Sequence, residues 1–289
     1  MYEDTPEDLV AERLAAALYK GSPLARPILG TRATLEKMSG AWLQDWQREH
    51  YRPGRIVAAL AGSFTQEHVD TLRRCLEALE SGAPRPQKPA RMQHVVTARR
   101  KATEQNHLIL AFPSLTYLDP RRPQLLLLNS ILGGGCSSRL FQQLREQRGL
   151  CYSVYSFASD HEDAGYLGIY TAVNREQEAL ALDTARAIVL DLAEHGPTQA
   201  ELDRAREQAR ANLLMGSESV QTRMSHLGAD ALLFGRVRTT QELLERYDAV
   251  QREDLRALAG EIFSLPRASL SALGRVRTAG EYSAWLGRE

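Results

Sequence analysis

No two histidines of this chain lie three, four or five residues apart. Neither H-E-x-x-H nor H-x-x-E-H therefore occurs, and spacing alone indicates no metal site. Cysteine is scarce: Cys75, Cys136 and Cys151 are odd in number and form no C-x-x-C, so neither a disulfide framework nor a cysteine zinc site is indicated. They read as reduced thiols used as small buried hydrophobes. G-x-S-x-G is absent, so no serine elbow is indicated. An excess of one charge is also missing, with 36 basic and 36 acidic residues, which argues against nucleic acid or an anionic membrane as the main partner. Leu125 to Leu128, and even the longest apolar runs, Leu14 to Tyr19 and Ile56 to Ala61, are far too short for a bilayer. The acidic opening "MYEDTPEDLV" lacks the apolar stretch of a signal peptide, and with the thiols it predicts a cytoplasmic setting.

What is present is an ordinary globular composition, 43% hydrophobic and 25% charged over 289 residues, enough for two domains. Periodicity predicts helices over 7–20, 34–51 (with Gly40 inside) and 65–80, and a short buried strand, "RIVAALAG", over 55–62. The proline-rich "SGAPRPQKPAR" reads as a linker at 81–92. Beyond it come strand candidates at 94–100 and 106–114, a leucine-rich helix over 122–132, the break Gly133-Gly134-Gly135, and a helix over 137–147. Two strands, 151–159 and 165–173, then pair as a hairpin. Alternation places Tyr152, Val154 and Ser156 on one face. Helix dominates 175–263, and a last strand covers 267–274. Strands before helices predict an α+β fold, helices packed on one face of a mainly antiparallel sheet.

Residues 28–62 echo 233–274: a Gly-Arg-Thr-type turn, two helices, then a run ending in glycine. This suggests two homologous domains, 1–80 as the C-terminal part of the first, incomplete at its N-terminus, and 93–289 as the second. The second is expected to fold by itself.

Few side chains invite chemistry. His161-Glu162-Asp163 falls on a hairpin turn and reads as surface. Cys151 has no base nearby in sequence and reads as packing. "GGGCSS" (133–138) follows a helix and lacks Gly-Lys-Ser, so it is not a phosphate loop, although three glycines admit close backbone approach. Arg145 and Tyr152, seven apart across a helix-to-strand junction, are either a capping cation and a packing ring or two hydrogen-bond donors with one target.

The stretch "LNSILGGGCSSRLFQQLREQRGLCYSVYS", with "HYRPGRIVAALAG" and "MGSESVQTRMSHLGADALLFGRVRT", resembles the second half of the pitrilysin/insulinase zinc peptidases, in the branch similar to mitochondrial processing peptidase. That resemblance implies a clamshell of homologous α+β domains and hydrolysis of peptides in a chamber. It also implies zinc for the complete enzyme, held by H-x-x-E-H and a further glutamate. Arg145 and Tyr152 match an Arg/Tyr pair that contacts the substrate backbone, and Gly133, Gly134 and Gly135 match a glycine-rich substrate-recognition segment. This sequence departs from the pattern in having no H-x-x-E-H. It reads as the C-terminal portion of a zinc endopeptidase, inactive alone and binding no zinc itself. The alternative is a non-catalytic subunit that gives Arg145 and Tyr152 to a zinc-bearing partner. The expected partners are a peptide substrate and a second copy or zinc-bearing homologous subunit, with no nucleic acid and no membrane.

Overall fold

The computed structural model describes residues 5–82 and 88–288. Part of the expected linker, 83–87, and the first four residues lie outside the described residues. Five strands form one sheet: β1 (Val96–Arg100), β2 (Asn106–Pro113), β3 (Cys151–Asp160), β4 (Gly165–Val173) and β5 (Ser269–Gly274), in the order β1-β5-β2-β4-β3. Only the β1–β5 pair is parallel. The expected α+β class and mainly antiparallel sheet are therefore what the chain adopts.

The helices are α1 (Pro6–Leu18), α2 (Arg32–Leu35), α3 (Gly40–His50), α4 (Gln66–Glu77), α5 (Arg122–Gly133), α6 (Glu178–His195), α7 (Gln199–Glu218), α8 (Val220–Phe234), α9 (Thr240–Asp248), α10 (Arg252–Ile262) and α11 (Ala279–Trp285). The predicted 34–51 helix is broken. Ser39 accepts a hydrogen bond from the Trp42 N–H at 3.2 Å and starts a new helix at Gly40.

The chain divides into two compact units, one of 1–26, 89–209 and 246–289 and one of 27–88 and 210–245. Each draws on both sides of the expected linker. In the first unit the sheet is covered on both faces, not one. Leu108, Leu110 and Phe112 of β2 point into a large core with α5, α6 and α10, while Ile109 and Ala111 point into a second core under α1. This is why all nine residues of β4 are buried instead of alternating. Leu14 and Leu18 of α1 are fully buried against the second face, and Ser271 Oγ donates to the Val10 carbonyl at 3.0 Å. α1 therefore belongs structurally to the strands that start at residue 96, and a fragment beginning at 93 would bare that face.

The second unit is helical. The predicted strand at 55–62 does not form. Ile56 has extended backbone, φ −120° and ψ 130°, but no strand occurs among the described residues of 27–88, so the segment has no ladder partner. The echo between 28–62 and 233–274 extends to the helices but not to the strand.

Candidate functional site

Arg145 lies near the end of a π-helical turn, Phe141–Glu146. The turn is wide: the Gln147 N–H donates to Gln142 O, five residues back, and the Leu150 N–H to Leu144 O, six back. Gly149, at φ +59°, takes the left-handed conformation that closes the helix and turns the chain into β3. β3 then begins with a bulge. Cys151 is opposite Val173 but Ser153 is opposite Ala172, so Tyr152 is the extra residue. The bulge overturns the expected common face: Val154 and Ser156 share it with Cys151, while Tyr152 is expelled and 76% exposed.

The two irregularities bring the pair together. The Arg145 guanidinium carbon lies 4.7 Å from the Tyr152 ring centroid and 4.7 Å from that of Phe141, so it is stacked between two rings. Its nearest carboxylate, Glu146, is 4.0 Å away. Neither the guanidinium nor the Tyr152 hydroxyl makes a hydrogen bond among the described residues, so both offer donors at the surface. Arg139 anchors the segment from behind. It donates to Glu201 at 2.7 and 2.9 Å, to Asp191 at 2.6 Å and to the Gly196 carbonyl. Burial alone would raise the Glu201 carboxyl, but hydrogen bonds from Arg139 and the Thr198 N–H hold it at about 2.

The three glycines divide. Gly133 is buried, and a Cβ there would fall 2.3 Å from Ser156 N; α5 packs on β3 through it. A Cβ on Gly134 would meet Ser130 Cα at 2.7 Å, whereas one on Gly135 would meet nothing within 4 Å. Gly134 to Ser137 form an exposed loop, tied down where Ser138 Oγ donates to the Gly135 carbonyl and Gln142 Nε2 to the Cys136 carbonyl. Gly133 and Tyr152 are linked through β3, about 13 Å apart along the strand, four residues at roughly 3.3 Å each.

Two other expectations change or sharpen. Of the cysteines, only Cys151 is buried; Cys75 and Cys136 are exposed. Burial pushes the Cys151 thiol up, only partly opposed by Thr171 and Arg145, so it suits packing and not nucleophilic attack. The His161-Glu162-Asp163 turn does not converge on a point. The His161 ring stacks edge-on to Tyr19 at 5.8 Å, and Asp163 accepts from the Ala90 N–H at 2.5 Å. Among the described residues, no group of three or more His, Cys, Asp or Glu side chains is placed to hold a metal ion, so these residues do not fit a zinc site. No described helix is long and apolar enough to cross a membrane.

The π-turn, the bulge and the Phe141 platform carry no signal in the hydrophobic pattern. Gly149 before an alternating run is the one local hint.

This fold and these segments have counterparts. A peptidase M16 inactive domain from Pseudomonas fluorescens superposes with a TM-score of 0.84 at 23% identity, over 96% of this chain and 67% of that one. A chain of complex III2 from Candida albicans, with Inz-5 bound, gives 0.82 at 17% identity, over 98% and 71%. In sequence, the protein named uncharacterized zinc protease YmxG of Bacillus subtilis is 36% identical over 266 residues, 91% of this chain and 65% of its own length. An uncharacterized zinc protease of Streptomyces coelicolor is 35% identical over 287 residues, 96% of this chain and 62% of its own. The chain thus spans somewhat less than two thirds of the curated relatives it matches. The family model described as Peptidase M16 inactive domain matches residues 37–209, more than half of the chain and all of the Gly133–Tyr152 region. The chain belongs to that family.

Proposed function

We propose that this chain is the substrate-holding portion of a zinc-dependent endopeptidase, with Arg145 and Tyr152 as donors to the peptide carbonyl at the cleavage point. The observation that carries this reading is the stacking of Arg145 between Phe141 and Tyr152 with both donor groups uncommitted. A guanidinium never loses its proton and a phenol is a neutral donor. Two such groups held in place favour the negative charge that develops on a carbonyl oxygen during hydrolysis. Preorganised donors of this kind are typically worth about 2.7–4 kcal/mol each. Arg139, fixed to α6 and α7, is a positioning residue for the turn that carries Arg145.

The metal and the general base belong, in this reading, to a zinc-bearing segment outside the chain, covalently joined or supplied by a homologous subunit. The second compact unit supports it. Trp42, Leu43, Trp46, Phe64 and Met215 are all exposed there, as expected of a face that a further segment covers. Gly134 and Gly135, in the exposed loop after α5, offer backbone to an extended peptide in this reading.

The test joins this chain to the third of the Bacillus subtilis relative that it does not match, or mixes the two, and follows cleavage of an unstructured fluorogenic peptide. Tyr152→Phe should lower kcat by about 10²–10³ with metal content unchanged. An unaltered kcat and KM in both Tyr152→Phe and Arg145→Ala would end this reading. Activity from mixing alone favours the separate-subunit arrangement.

A further inference from the structure

One row of residues crosses the sheet at the end where Tyr152 sits. Arg100 of β1 is opposite Gly274 of β5, His107 of β2 opposite Leu273, Asn106 opposite Val173 of β4, and Val173 opposite Cys151 of β3. Just past this row, the chain leaving β1, β5 and β4 encloses a cleft of about 480 Å³ whose lining includes Arg100, Lys101, Arg175, Gly274 and Arg275. Four of these five are cationic, in a chain with no net charge. Some arginines elsewhere are matched: Arg121, Arg122, Arg139 and Arg238 each hold a carboxylate. Arg100, Arg175 and Arg275 hold none among the described residues. Two carboxylates near them are occupied. Buried Glu178 accepts from Asn106 Nδ2 at 2.6 Å and Tyr282 OH at 2.7 Å and pairs with Arg277 at 3.3 Å. Glu281, within electrostatic reach of Arg100, caps α11 by accepting from the Thr278 N–H at 2.8 Å. The floor is rigid: Gly274, at φ +133°, sits so close to Asn106 that a Cβ would fall 2.6 Å from its Oδ1.

We propose that this cleft is an anion subsite that takes the carboxylates of an acidic peptide. Guanidiniums match carboxylates in a planar, two-bond geometry. The cations are spread along separate strand ends, with β4 and β5 two strands apart, about 10 Å. That spacing suits several single charges on an extended chain better than one compact oxyanion, because alternate residues of a strand repeat at about 6.6–7 Å. The row also leads to Tyr152, one strand beyond Arg175. A peptide held at Arg145 and Tyr152 could lay acidic side chains into the cleft within about four residues. As a subsite for the cleaved peptide the cleft rests on the peptidase reading; as a carboxylate site it stands without it.

The test uses the full chain and a fluorophore-labelled, end-capped tetraglutamate, read by anisotropy at low and high salt. Tetraglutamate should bind, weaken as salt rises, and lose about tenfold or more in affinity in the Arg175→Gln/Arg275→Gln double variant. Arg267→Gln, at an exposed arginine outside the cleft, should bind as the wild type, and thermal melts confirm that the double variant is folded. Equal binding of tetraglutamine, no binding of tetraglutamate, or a double variant as good as the wild type would overturn the proposal. Inorganic phosphate that binds where tetraglutamate does not would also overturn it. Because no cleavage is measured, failure here is distinct from failure of the peptidase reading.

Discussion

Gly133→Ala separates a packing glycine from a recognition glycine. An alanine Cβ at this position would lie 2.3 Å from Ser156 N, 2.7 Å from its Oγ and 2.9 Å from its Cβ. The first of these is backbone in the middle of β3, paired with β4, and cannot turn aside. Carbon contacts are comfortable only at about 3.5–4.0 Å, so α5 must retreat from β3 by roughly 1 Å. Leu125, Leu128 and Leu132 of α5 are fully buried and would lose contact with the core together. Overpacking of this sort costs about 1–3 kcal/mol. Against it stands the gain of alanine over glycine in a helix, about 0.5–1 kcal/mol. The clash wins, leaving a net loss of about 0.5–2 kcal/mol, or several degrees in Tm at roughly 2–4 °C per kcal/mol. Gly135→Ala meets nothing and should stay within about 0.5 kcal/mol of wild type. Urea and thermal unfolding of the two variants measure this. A Gly133→Ala chain at least as stable as the wild type would refute the packing argument, and any change in peptide binding by Gly135→Ala then reports on the loop alone.

The low Glu201 carboxyl makes stability pH-dependent. Its folded value, about 2, is below the ordinary carboxylate range, so the contribution is complete above about pH 4.5 and is lost as pH falls towards 2. The amount is on the order of 2–3 kcal/mol, and acid titration of Glu201→Gln should show a shallower fall over that window. Leu14→Ala should cost about 2–5 kcal/mol and lower the first unit's melting transition, because α1 closes one face of the sheet; an unchanged transition would mean α1 is dispensable. Thiol labelling of the native chain should be fast at Cys75 and Cys136 and slow at Cys151, whose reactivity should appear only on unfolding.

Strand and helix positions of the first unit were legible because periodicity and breakers agree there. The predicted 165–173 strand is β4, and 106–114 differs from β2 by one residue at its end. The 55–62 segment is apolar and ends in glycine, yet a strand needs a neighbour that local pattern does not reveal. Burial of the sheet on both faces was hidden for a related reason. The face that α1 covers is lined by Ile109, Ala111, Tyr166 and Tyr170, and β2 and β4 are apolar at nearly every position, a pattern that fits one covered face as readily as two. The basic cleft draws on residues from three separate stretches, and only the sheet order joins them.

The Arg145–Tyr152 pair shows where legibility ended, because its geometry depends on two single-residue irregularities. In a regular ladder, with Val154 opposite Thr171 and Ser153 opposite Ala172, position 152 would stand opposite Val173 and point into the large core. A phenol there would be buried and unable to meet a substrate. The bulge gives that inward place to Cys151, a smaller side chain that is 8% exposed, and leaves Tyr152 outside the ladder. On the other side of Gly149, the π-turn rotates the end of the helix so that Arg145 stacks on Phe141, four residues earlier, and on Tyr152 at once. The spacing of seven thus specifies a pair only when both extra residues are present. Alternation and 3.6-residue periodicity assume that neither is, which is why Tyr152 reads as a face-sharing strand residue until the register is known.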